Sequence, residues 1–87
     1  MTEPGRWVVE FYVDAQGESP VMTFLEGLQA KERASLMRVI ALLKRYGPLL
    51  RMPHARHIEG EIWELRGGPG RLFYFSFVGR RFVILSG

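Results

Sequence analysis

Arg66 and Arg71 stand at the two ends of Gly67-Gly68-Pro69-Gly70, a run rich enough in glycine to reverse the chain between two strands. With Gly67 to Gly70 as the loop, the two guanidiniums face one another across a hairpin, and like charges in a cross-strand pair repel unless an anion lies between them. A phosphate suits that place, because a guanidinium grips it through two parallel hydrogen bonds. The alternative is that both side chains splay into water, where salt screens the repulsion and nothing is held.

A second group of chemically capable side chains, Arg51, His54, Arg56 and His57, falls between residues 48 and 60, a connection too irregular to assign to helix or strand. Two histidines three residues apart suggest a metal, but no third ligand of suitable spacing accompanies them and the chain has no cysteine. No metal or cofactor is expected. Proton transfer or phosphate contact suits them better, since imidazoles exchange protons near neutral pH, with idle exposure as the plain alternative. A third group, Lys31, Arg38 and Arg45, repeats every seven residues and so shares one face of a helix. That basic ridge is either a solvated face or a contact surface. Lys44 and Arg45 also complement the helix dipole beside the following basic loop.

Charge is unevenly spread over the 87 residues, whose net charge is +3. Residues 1–30 hold one arginine against five acids, whereas residues 31–87 hold eleven Lys and Arg against four acids. The basic portion points to an anionic partner, nucleic acid first and an acidic protein surface second. The length supports one domain near the lower limit for an independently stable core. With no cysteine and no signal-like or membrane-spanning stretch, a cytoplasmic protein is expected.

The elements that must position these groups follow from periodicity. Trp7 to Val13 alternates as a half-buried strand. Ser19-Pro20 matches an N-cap followed by proline at the first helical position, and Val21, Phe24, Leu25 and Leu28 form one apolar stripe. A second helix spans Ala30 to Tyr46 and stops at Gly47-Pro48. The last third reads as a meander over 61–66, 71–78 and 81–86, with Gly79-Arg80 as a two-residue turn. That register pairs Phe75 with Ile84 and Phe77 with Phe82. One face then carries Ile62, Phe73, Phe75, Phe77, Phe82 and Ile84, and the other carries Trp63, Leu65, Leu72, Tyr74, Val83 and Leu85. Both faces are mostly apolar and both require a cover; two helices supply one. The first strand is expected at the sheet edge beside the meander.

The order strand, helix, helix, three-strand meander, with Ser19-Pro20, Tyr46-Gly47-Pro48-Leu49-Leu50, Trp63-Glu64-Leu65-Arg66 and Arg71 opening the next strand, resembles the RelE/ParE superfamily of toxins. It is most similar to the phage-derived, HigB-like branch. The resemblance implies an α+β fold with two N-terminal helices on one face of a four-stranded, mainly antiparallel sheet, in the order β-α-α-β-β-β.

The resemblance also implies a toxin that cuts messenger RNA, usually on the ribosome, without a metal: the ribose 2′-hydroxyl attacks the adjacent phosphorus while the protein supplies positive charge and proton transfer. Arg71 matches the family's catalytic arginine and Arg66 a basic residue ending the preceding strand. Arg45, Arg51, His54, Arg56 and His57 would contact flanking RNA. The expected partner is a helix-turn-helix antitoxin. Two departures stand out. Ile62 and Glu64 occupy positions where relatives carry lysines, so Glu64 either acts as a base or pairs with Arg66. Relatives also continue past the position of Gly87 into a basic segment and a C-terminal helix, so the resemblance implies a shortened form that would lack some of the family's site groups. A gyrase-blocking, non-catalytic toxin and a degenerate toxin acting as a protein-binding module or homo-oligomer are the competing expectations.

Overall fold

In the computed structural model, which describes residues 7–77 and 80–87, the helix signals act where the sequence places them. Ser19 accepts a hydrogen bond from the Met22 amide at the start of α1 (Pro20–Glu26), and Pro20 fills the first helical position, where a missing N–H breaks no helical hydrogen bond. α2 (Ala30–Tyr46) ends at Gly47, whose positive φ of 55° stops it. Arg33 ties the two helices together: its Nε and Nη2 donate to the carbonyls of Leu25 and Leu28 where α1 ends.

The sheet has five strands rather than four. They are β1 (Val8–Phe11), β2 (Ala55–Glu59), β3 (Ile62–Gly67), β4 (Gly70–Phe77) and β5 (Arg81–Ser86), in the spatial order β1-β5-β4-β3-β2. β1 lies at an edge and runs parallel to β5; the other pairs are antiparallel. The added strand, β2, occupies much of the stretch expected to be an irregular loop. Four of its five residues are exposed, so it carries no apolar alternation, and its pairing with β3 shifts register after His57.

The expected two-residue turn after β4 is also corrected. Val78 and Gly79 lie outside the described residues, but the pairing on either side is clear: Phe75 faces Val83, Ser76 faces Phe82 and Phe77 faces Arg81. A slip of one residue exchanges faces along a strand. Phe82 and Ile84 therefore join Leu65, Leu72 and Tyr74 on the side of the helices, and Val83 moves to the opposite side. A further irregularity between Phe73 and Tyr74 sets Phe73 against Ser86 and Tyr74 against Ile84.

Both helices pack on that one face. Val21 and Leu25 of α1, with Leu36, Val39, Ile40 and Leu43 of α2, meet Ala55, Leu65, Leu72, Tyr74, Phe82 and Ile84 of the sheet. Each large apolar side chain buried here contributes roughly 1.5–3 kcal/mol against leaving it in water. The other face holds half-buried Ile62, Phe73, Phe75 and Val83 among charged residues.

Candidate functional site

The β3–β4 hairpin is pinned from below by its glycines. Strand pairing continues to Gly67 and Gly70, leaving Gly68-Pro69 as the loop, with Gly68 at φ 60°. A positive φ at the first central residue is the geometry of a type II′ turn, which suits the twist of a hairpin. Gly67 meets a different demand: a Cβ there would lie 2.7 Å from the Ser35 carbonyl oxygen of α2. The helix backbone thus fixes the height of the hairpin end and, with it, the two adjoining arginines.

Arg66 and Arg71 pair directly across β3 and β4, as the loop composition implied. Between them lies an anion supplied by the chain. Glu64 shares their face of the sheet and has only 4% of its side chain exposed, against 32% for Arg66 and 51% for Arg71. Arg71 Nη1 donates to Glu64 Oε2 at 3.3 Å, and Arg66 Nε stands 3.7 Å from Oε1, too far for a hydrogen bond. Oε1 is enclosed and has no hydrogen-bond partner among the described residues. Two cations beside one buried carboxylate leave a net positive charge, carried mainly by the outward-reaching guanidinium of Arg71.

β2 brings further groups to this face. Arg56 pairs with Glu64, and His54 precedes the strand with its carbonyl accepting from the Arg66 amide, so strand alternation sets both positions on the Arg66 side. Five of the expected site residues, Glu64, Arg66, Arg71, Arg56 and His54, thus share one surface. Three do not. His57 pairs with Trp63 on the helix side, its ring 5.1 Å from the indole and its Nε2 2.7 Å from the Gly60 carbonyl oxygen. Arg51 lines a cleft on that same side. Arg45 lies over the Tyr46 ring on the exposed side of α2. The histidines thus diverge, and no three His, Asp or Glu side chains among the described residues gather as a metal site.

Sequence reasoning missed the contribution of β2 and the burial of Glu64. The first had no periodic signal. The second had one, since Glu64 sits between Trp63 and Leu65 on a strand expected to be apolar on both faces.

The family described as phage-derived protein Gp49-like (DUF891) matches residues 23–87, which run from within α1 to beyond β5 and include the whole hairpin. The chain belongs to this family. Gp49-like proteins fall in the RelE/ParE-like group of toxins, so the resemblance read from element order holds at the level of that group. No curated protein matched the chain. Within the Gp49-like match lie every one of the eight candidate residues and both helices' core contacts, except part of α1. No helix among the described residues is long and apolar enough to cross a membrane.

Proposed function

We propose that this Gp49-like chain is the toxin of a type II toxin–antitoxin pair, of the HigB-like kind, and that it arrests growth by cutting messenger RNA on the ribosome without a metal ion. The observation that carries the reading is the half-exposed Arg71 guanidinium, oriented by a buried carboxylate and facing Arg66 across the hairpin.

Cleavage would join the ribose 2′-oxygen to the adjacent phosphorus as the hydroxyl proton passes to a base. The bond from phosphorus to the 5′-oxygen breaks, and that oxygen takes up a proton, leaving a 2′,3′-cyclic phosphate and a 5′-hydroxyl. Arg71 donates to the non-bridging oxygens as negative charge grows on them, the stage at which fixed donors accelerate a reaction most. Arg66 adds charge beside it. Glu64, enclosed beneath the pair, acts as the positioning residue that presets Arg71. His54 is the member of the surface whose side-chain type exchanges protons near neutral pH, and Arg56 takes a neighbouring phosphate. A helix-turn-helix antitoxin would neutralise the protein by covering this basic face and its half-buried Ile62, Phe73, Phe75 and Val83.

The deciding experiment incubates the purified chain with messenger RNA in a translating extract, and separately with DNA gyrase. RNA cut to leave cyclic phosphate ends is the expected result. Intact RNA together with inhibited gyrase supercoiling would replace the ribonuclease assignment with a gyrase-blocking one.

A further inference from the structure

The large apolar side chains left exposed among the described residues fall into two stretches of opposite charge. Val8, Tyr12, Val13 and Met22 lie within residues 7–30, which hold four acids and no Lys or Arg. Met37, Tyr46, Leu49, Met52 and Ile58 lie within residues 33–58, which hold six Lys and Arg and no acid. Each stretch gathers three of these side chains into a patch. In the first, the Asp14 amide donates to the Glu18 carbonyl at 2.7 Å, and the Asp14 carboxylate accepts from the Gln16 and Glu18 amides. The chain therefore doubles back, and Tyr12 and Val13 come beside Ser19 and the first turn of α1, which carries Met22. In the second, a single 3-10 turn over Gly47–Leu49 and a hydrogen bond from the His54 amide to the Arg51 carbonyl fold the connection tightly. Tyr46, Leu49 and Met52 are held outward by it, with Leu49 74% exposed.

The charges around the two patches are complementary. Glu10 and Glu18 are exposed on the first, and Lys44, Arg45 and Arg51 on the second, and none of the five makes an ion pair among the described residues. Within one chain the patches cannot neutralise one another. The Trp7 amide donates to the Lys44 carbonyl, so β1 starts beside the basic patch and leads away from it. At about 3.3 Å per residue, Trp7 to Tyr12 spans roughly 16 Å, twice the screening length of about 8 Å at physiological salt. An exposed apolar centre ringed by one charge fits a surface of the opposite charge with an apolar centre of its own. We propose that the chain self-associates head to tail, with the Tyr12, Val13 and Met22 patch of one copy seated on the Tyr46, Leu49 and Met52 patch of the next. Two different patches meet in such a contact, so each assembly keeps one free patch at either end and further copies can add. Arg66 and Arg71 belong to neither patch, and the inference does not depend on whether the chain cuts RNA.

The test is sedimentation equilibrium of the whole chain over a range of concentrations, at low and at high salt. The average mass is expected to rise with concentration from the 10.0 kDa of one chain past that of a dimer, and to fall as salt screens the charges. Val13→Lys places a cation in the acidic patch, and Leu49→Gln removes the most exposed apolar side chain of the basic one. Both positions are more than half exposed, so neither change disturbs the core. Each variant alone should associate about tenfold more weakly, the effect of losing one apolar side chain from a contact. Mixed in equal amounts, the two should pair one to one and stop there, because Val13→Lys keeps the basic patch intact and Leu49→Gln the acidic one. A parent chain that stays at the mass of one copy under every condition, association that strengthens with salt, or a mixture no heavier than the separate variants overturns the proposal.

Discussion

Glu64 and Arg71 are joined across the β3–β4 hairpin by a hydrogen bond of 3.3 Å between a buried carboxylate and a half-exposed guanidinium. The facing arginines therefore already have an anion, and under the proposed ribonuclease function a substrate phosphate would share Arg71 with it. Glu64→Gln keeps the shape and removes the charge. We expect binding of an uncleavable 2′-O-methyl oligoribonucleotide to tighten several-fold in anisotropy titrations. The salt dependence should steepen, because removing one competing negative charge leaves an additional cation to contact phosphate. Cleavage should slow, because a neutral amide oxygen holds Arg71 less firmly than the carboxylate does. An affinity and salt slope equal to those of the parent chain would show that Glu64 does not compete for the site.

The hairpin is fixed against α2 by the absence of a side chain. Gly67→Ala would drive a Cβ to within 2.7 Å of the Ser35 carbonyl oxygen, and overpacking of that kind costs about 1–3 kcal/mol. Gly68→Ala would make only ordinary van der Waals contact, 3.5 Å from Ser35 Oγ, but retains a φ of 60°, at a cost of roughly 1–2 kcal/mol. Urea unfolding should show both losses. Only Gly67→Ala should also reduce RNA cleavage in the fraction still folded, because only it displaces the hairpin from the helix.

Tyr74 gives the alkaline limb of stability a specific cause. Burial raises its phenol from 10.0 to about 12 in the folded chain, against a small opposing pull from Arg51. The unfolded chain then loses this proton first as pH rises, so the folded state binds more protons between those values. Stability from this group is complete below pH 10 and falls as pH climbs towards 12, by at most about 2–3 kcal/mol. Unfolding free energies measured from pH 8 upward should decline less steeply for Tyr74→Phe than for the parent chain. Equal slopes would contradict the assignment.

The helices were legible because their signals are local. Ser19-Pro20 and Gly47-Pro48 act through caps and a fixed φ; α1 begins at the first and α2 ends at the second. The Arg66–Arg71 pairing was legible for the same reason, since a glycine-rich loop sets the register of its own hairpin. β2 was not: Arg56 to Glu59 are all exposed, and an edge strand held mainly by backbone hydrogen bonds to β3 leaves no trace in hydropathy. The turn between β4 and β5 misled because a slip of one residue still places an apolar side chain at almost every position, so Val83 and Phe82 read equally well on either face. In the candidate site, the facing arginines could be read from the sequence. The occupant between them was half legible: Glu64 could be read as a partner for Arg66 on the same face, but its hydrogen bond to Arg71 could not.

The central claim is that Arg71 acts on the phosphate, and replacing it tests that claim most directly. Arg71→Ala and Arg71→Lys, each checked for native circular dichroism, should be compared with the parent chain for RNA cleavage in a translating extract and for growth arrest on induction. Arg71→Ala is expected to lower the cleavage rate by roughly 10²–10³-fold, the usual effect of removing one donor from a developing oxyanion. Arg71→Lys should recover only part of that loss, since it keeps the charge but not the paired donors. A folded Arg71→Ala chain that cuts RNA and arrests growth as fast as the parent would contradict the account.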